Sequence, residues 1–206
     1  MREHDDRKDF AMTQRCLRLV VLVVTVGAMS VGCGNKSVET TRSPIRINEL
    51  SPKNGVYQDI FGNAGDWIEL YNNSDKDFDL GGYYVSDSVN KRFKDQFPAV
   101  AEDAGQAFKV PAKGVLLLFA DGQPLESTPI EPHLSFKLSN AGEGIWLSNP
   151  AGYLVDWVQF STLPPNSAGT SWTSLARIPD GIGEFQCCTQ ATPNELNGDH
   201  CTGEVL

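Results

Sequence analysis

The sequence predicts an all-β sandwich preceded by an export leader. Three observations carry this expectation. Apolar or alternating runs of strand length recur over residues 45–178. Nineteen glycines and twelve prolines punctuate the chain, as many short strands and turns require. Outside the leader, no stretch of about 12 residues keeps the 3.6-residue apolar period of a helix.

The first expected element is a leader over residues 1–32. Residues 19–32 read LVVLVVTVGAMSVG. A membrane-spanning helix needs about 20 residues, so this shorter run fits the apolar core of a signal peptide. Arg15 and Arg18 form its basic flank, and Cys33 follows it in Ser30-Val31-Gly32-Cys33. That setting resembles a bacterial lipobox, where the cysteine sulfur is lipidated and the cysteine becomes the mature N-terminus. Ser30 stands where the pattern prefers an aliphatic residue, and an ordinary signal peptide cleaved nearby is the alternative. Residues 1–11 carry Glu3, Asp5, Asp6 and Asp9, poor company for a basic flank, so synthesis is expected to start at Met12. A lipid on Cys33, followed by Gly34 rather than Asp, implies an outer-membrane or cell-surface location in a bacterium, with the membrane held through the anchor.

Residues 33–43 are small and polar and read as a tether. The fold is expected over 44–197, with a C-terminal tail at 198–206. Its expected strands are 45–50, 67–71, 83–86, 108–110, 115–120, 134–138, 145–147, 154–160 and 171–178. Between them lie Asn54-Gly55, Gly62-Asn63, Gly81-Gly82 and similar pairs, which supply the backbone angles that turns need. VLLLFA at 115–120 is apolar on both faces and is expected as a central strand. In WIELY at 67–71, Ile68 and Leu70 share one face, and Trp67, Glu69 and Tyr71 the other. All four tryptophans (67, 146, 157 and 172) fall on these strands, where packing is expected rather than a sugar platform.

Charge and cysteines narrow the function classes. Lys+Arg 17 against Asp+Glu 26 gives a net charge of −9; without the leader the balance is 12 against 22, or −10. Such a chain repels phosphates, so nucleic acid is a disfavoured partner, and Lys91, Arg92 and Lys94 read as a solvated turn. With Cys16 in the leader and Cys33 lipidated, Cys187, Cys188 and Cys201 remain for an oxidising compartment. Adjacent cysteines bridge with strain. Cys201 is therefore expected to bridge to one of the two, with Cys188–Cys201 favoured and Cys187–Cys201 as the alternative. The sequence contains no Gly-x-Ser-x-Gly, P-loop or His-Glu-x-x-His motif, and His4, His133 and His200 are dispersed.

The order of motifs adds a family resemblance. Ile45-x-Ile47-Asn48-Glu49 precedes WIELYNNSDKDFDLGGYYV at 67–85, then Phe136-x-Leu138-Ser139, Gly152-x-x-Val155-Asp156, Arg177-x-Pro179-Asp180-Gly181 and Ala191-Thr192-Pro193. This series resembles the lamin tail domain family over about residues 44–197. The resemblance implies an immunoglobulin-like β-sandwich of the kind found in nuclear lamins and many bacterial envelope proteins.

Two function classes follow. The first is a non-catalytic, lipid-anchored envelope module whose sandwich loops bind a protein or polysaccharide, with no cofactor. The second is a Ca²⁺-dependent binder or hydrolase using Glu49, Asp66 and Glu69, with His133 as an accessory. Clustered carboxylates suit Ca²⁺ only if pairing of the first two strands brings them together. A deep pocket with convergent carboxylates would mark the second class, and dispersed, exposed ones the first.

Overall fold

The computed structural model describes residues 43–52, 57–99, 107–162, 174–198 and 201. The leader, Cys33, residues 34–42 of the tether and Trp172 lie outside them. The described strands are β1 (Ile45–Ser51), β2 (Asp66–Asn72), β3 (Phe78–Asp79), β4 (Tyr84–Ser86), β5 (Asp95–Gln96), β6 (Lys109–Val110), β7 (Val115–Ala120), β8 (Gly142–Ser148), β9 (Leu154–Ser161), β10 (Ser174–Ile178) and β11 (Glu184–Cys188). One antiparallel sheet has the order β11-β10-β1-β2-β7, a second has β5-β4-β8-β9, and β3 pairs with β6. The architecture is the expected all-β, immunoglobulin-like sandwich.

Alternation explains the core. Ile45, Ile47, Leu50, Ile68, Leu70, Leu116 and Leu118 bury one face of the five-stranded sheet. Val85, Ile145, Leu147, Val158 and Phe160 belong to the same core from the four-stranded sheet. Strand β1 keeps its alternation only by inserting a bulge: Ile47 pairs with Leu70 and Glu49 with Glu69, so Asn48 is the extra residue. Arg177 ties the sheets together there. Its Nε donates to the Ile47 carbonyl at 2.8 Å, and its Nη2 reaches the Asp156 carboxylate at 3.1 and 3.2 Å. Asp156 in turn accepts the Ile47 N–H at 2.9 Å. The guanidinium also lies over the Phe185 ring, 4.2 Å from its centroid.

Several expectations need correction. VLLLFA is not a central strand; β7 ends the hydrogen-bonded order of its sheet. It is buried on both faces because Leu117 and Phe119 pack with Trp67, Tyr57 and Ala191 on the outer side. Its outer edge is covered by residues 132–134, where Phe119 N–H donates to Pro132 O at 2.8 Å and Leu134 N–H to Phe119 O at 2.7 Å. Residues 134–138 are therefore an edge cover with isolated bridges, not a strand, although Leu134, Phe136 and Leu138 insert into the core. Strand β11 was absent from the expected set because Glu184, Gln186 and the cysteines dilute its apolar signal. Trp67 is wholly buried, but Trp157 is 51% exposed, which overturns core packing for that residue. It pairs across strands with Trp146, whose ring lies over Gly144 where a Cβ would collide with it.

Cys188 and Cys201 form a disulfide, with their Cα atoms 4.4 Å apart. Cys187 is buried outside that bridge.

Candidate functional site

Glu49, Asp66 and Glu69 do not assemble as one set. Glu49 and Glu69 are direct cross-strand partners, both with no exposed surface. Asp66 lies three residues before Glu69 on the same strand, so side-chain alternation sends it to the opposite face. Its Oδ2 accepts the Leu138 N–H at 3.1 Å. The expected three-carboxylate calcium cluster is thus corrected to a buried pair plus a separate carboxylate.

The pair is closed by the C-terminal segment. Thr192 donates its N–H to Glu49 at 3.2 and 3.3 Å and its hydroxyl to Glu49 Oε2 at 2.9 Å. Asn194 N–H donates to Glu69 Oε2 at 2.8 Å. The bulge residue Asn48 joins this network: its amide donates to Asp180 Oδ1 at 2.8 Å, and its Oδ1 accepts the Gly181 N–H at 2.9 Å. Asn197 adds bonds from its N–H to Asp180 at 3.0 Å and from its amide to Arg177 O at 2.9 Å. Gly181 is required here, because φ is +66° and a Cβ would strike the Tyr71 ring.

Burial pushes the Glu49 carboxyl above the ordinary carboxylate range, against the opposing pull of the Thr192 donors. Burial raises Glu69 well above that range, and the Glu49 charge beside it adds to the rise. Two carboxylates that converge without solvent access fit neither the deep catalytic pocket nor the exposed, dispersed pattern. They act as acceptors that fasten residues 192–197 onto the sheet.

A second feature lies at one end of the sandwich. Asp66 pairs with Ala120 in the antiparallel β2–β7 ladder, so the loop before β2 and the segment after β7 emerge together. Asp59 shapes the first loop by accepting the N–H groups of Phe61 and Asn63 at 2.9 and 2.7 Å. Ile60 N–H then donates to Glu131 Oε1 at 3.0 Å and pins the two segments to each other. They carry Ile60, Phe61, Leu125 and Ile130, which are 64%, 59%, 100% and 86% exposed. Beside them runs a groove of about 270 Å³ whose lining includes Gln96, Phe97, Pro98, Pro124, Pro132 and His133.

His133 itself is buried, its ring stacked on Phe119 with centroids 5.1 Å apart, and its Nδ1 lies 2.8 Å from Asp121 Oδ2. Sequence reasoning did not single out the loop end. Its one available signal was the placement of Ile60-Phe61 and Leu125 inside turn-rich, otherwise polar segments.

The family model for the Lamin Tail Domain matches residues 39–162. No curated protein matches the chain. Strands β10 and β11 lie beyond the matched residues, yet they complete the sheet built on β1.

Proposed function

Because the chain belongs to the lamin tail domain family, we propose that it is a non-catalytic binding module, held at the outer membrane by lipid on Cys33, that engages an envelope protein through its loop end. The observation that carries this reading is the quartet of exposed apolar side chains, Ile60, Phe61, Leu125 and Ile130, on two segments pinned together by Ile60 N–H and Glu131. Exposed apolar groups in one region favour a protein surface as partner. Segments already held in place lose less freedom on binding than free loops would. The closure of Glu49 and Glu69 by the C-terminal segment supports a structural role for this buried carboxylate pair.

A polysaccharide is the second reading, and a separate observation favours it. Edge strand β9 and the turn before it expose Trp157 and Tyr153, the latter by 71%, as aromatic faces on the four-stranded sheet.

Expressed as the full chain in its own cells, the protein is expected in the membrane fraction and, after chemical crosslinking, in one discrete complex of higher mass. Cys33→Ser should release it from membranes. Phe61→Asp combined with Leu125→Asp should leave it on membranes and abolish the complex. A complex that survives the loop substitutions contradicts binding through this end.

A further inference from the structure

Beneath the apolar rim, four side chains from three segments converge. They are Asp59 from the loop before β2, Asp121 and Glu126 from the segment after β7, and His133 from the stretch that covers the β7 edge. One ligand atom from each lies within 4.8 Å of all the others. The His133 side chain has no exposed surface, and Asp59 is buried.

Asp59 is held by the Phe61 and Asn63 N–H groups and by the Asn63 amide at 3.2 Å. His133 presents Nδ1 to Asp121 Oδ2 at 2.8 Å, while its Nε2 faces Glu131 Oε1 at 3.5 Å, too far for a hydrogen bond. His133 Nε2 and Glu126 Oε2 are both buried without a hydrogen-bond partner. Buried polar atoms in folded proteins nearly always find a partner, so the orphan Glu126 oxygen, set in a cluster of three carboxylates, calls for a positive ligand. His133 meets Asp121 through Nδ1, so Nδ1 is the atom it offers to the cluster, and Nε2–H is left to face Glu131 Oε1. A carboxylate on the far nitrogen is the arrangement that orients a metal-binding imidazole.

We propose that Asp59, Asp121, Glu126 and His133 form a site for a divalent transition metal of the Zn²⁺ class, which clamps the loop before β2 to the segment after β7. The donor set selects the class. Ca²⁺ and Mg²⁺ take oxygen ligands, whereas a buried imidazole among carboxylates suits Zn²⁺ and its neighbours. Bonds of about 2.1 Å in a tetrahedral set place ligand atoms about 3.4 Å apart, so a pair at the 4.8 Å limit closes by about 1.4 Å around the ion. The site is separate from Glu49, Asp66 and Glu69, and it stands whether or not the loop end meets a protein.

The competing account is an imidazolium on His133 that neutralises Asp121 and Glu131 without any metal. The full chain, purified in detergent and stripped with chelator, separates the two when titrated with Zn²⁺ alone. One equivalent per chain is expected, with a rise in melting temperature of roughly 5–10 °C at 100-fold excess over Kd. Ca²⁺ and Mg²⁺ at the same concentration should leave the melt unchanged. His133→Gln is expected to weaken Zn²⁺ binding about 100-fold or more. Glu126→Gln removes an oxygen that makes no hydrogen bond in the fold, so it should fold normally and weaken binding at least about 10-fold. Absence of saturable binding at micromolar Zn²⁺, or binding unchanged in Glu126→Gln, overturns the proposal.

Discussion

Glu69→Gln measures what it costs to set two carboxylates side by side inside a sheet. Glu49 and Glu69 are cross-strand partners with no exposed surface. Groups paired in this way lie roughly 5 Å apart. Two full charges at that distance repel by about 3 kcal/mol at an effective dielectric constant near 20. Burial raises the Glu69 carboxyl well above its ordinary value of 4.5, and the Glu49 charge raises it further. The folded state therefore keeps a proton that the unfolded chain has already lost. The associated stability is fully present below the unfolded pKa and is lost as the pH rises through the raised folded value. Glutamine preserves the shape and carries no charge; its carbonyl still accepts from Asn194 N–H, and its amide gives up only the long 3.4 Å bond from Asn48 Nδ2. Near pH 4, where the wild-type pair is protonated, the two proteins should melt alike. Near pH 9 the variant should be more stable by up to about 3 kcal/mol, which is roughly 6–12 °C for a domain of this size. Thermal melts across that range provide the assay. A variant that is destabilised equally at every pH would refute the reasoning, because it would mean that the fold needs Glu69 ionised.

Other perturbations test separate parts of the structure. Cys201→Ser opens a bridge that spans 13 positions; it should cost about 3 kcal/mol in urea unfolding, and a reducing agent should impose the same loss on the wild type. An unchanged midpoint would show that the bridge constrains nothing. Arg177→Ala removes the inter-sheet clip and strands Asp156, at a cost of about 3 kcal/mol. Arg177→Lys should recover less than half, because an ammonium lacks the fork that reaches Ile47 O and Asp156 together; full recovery would deny the clip its geometry. Intact mass of membrane-purified protein should show a lipid-modified chain beginning at Cys33, and an unmodified terminus would remove the anchor.

The inner faces of the sandwich were legible because a period of two is a local property. Ile68 and Leu70 point inward as their spacing requires, and so do Ile45 and Ile47. The outer face of β2 was not legible. Trp67, Glu69 and Tyr71 are buried there by residues that include Ala191, Asn194 and Gly181, more than a hundred positions along the chain. The bulge at Asn48 was equally hidden, although it sets Glu49 opposite Glu69. Strand β7 shows the limit of hydropathy most clearly. A strand apolar on both faces has two covers, but the pattern does not say whether a neighbouring strand or a loop supplies them. One end of the disulfide, Cys201, was accessible because adjacent cysteines bridge poorly and one distant cysteine remained, but that argument does not choose between Cys187 and Cys188. The exposed apolar quartet was obscure because exposure depends on which turns the loops make, and Asp59 and Glu131 set those turns through bonds to backbone N–H groups.

Whether the sandwich meets its partner through the loop end is tested most directly by placing a photo-crosslinking residue, in turn, at Leu125, Phe61, Trp157 and Tyr153 of the full chain in living cells. Crosslinks from Leu125 and Phe61 to one discrete envelope protein, with none from Trp157 or Tyr153, are the predicted result. Crosslinks confined to Trp157 and Tyr153, or of the same yield from all four positions, would contradict it.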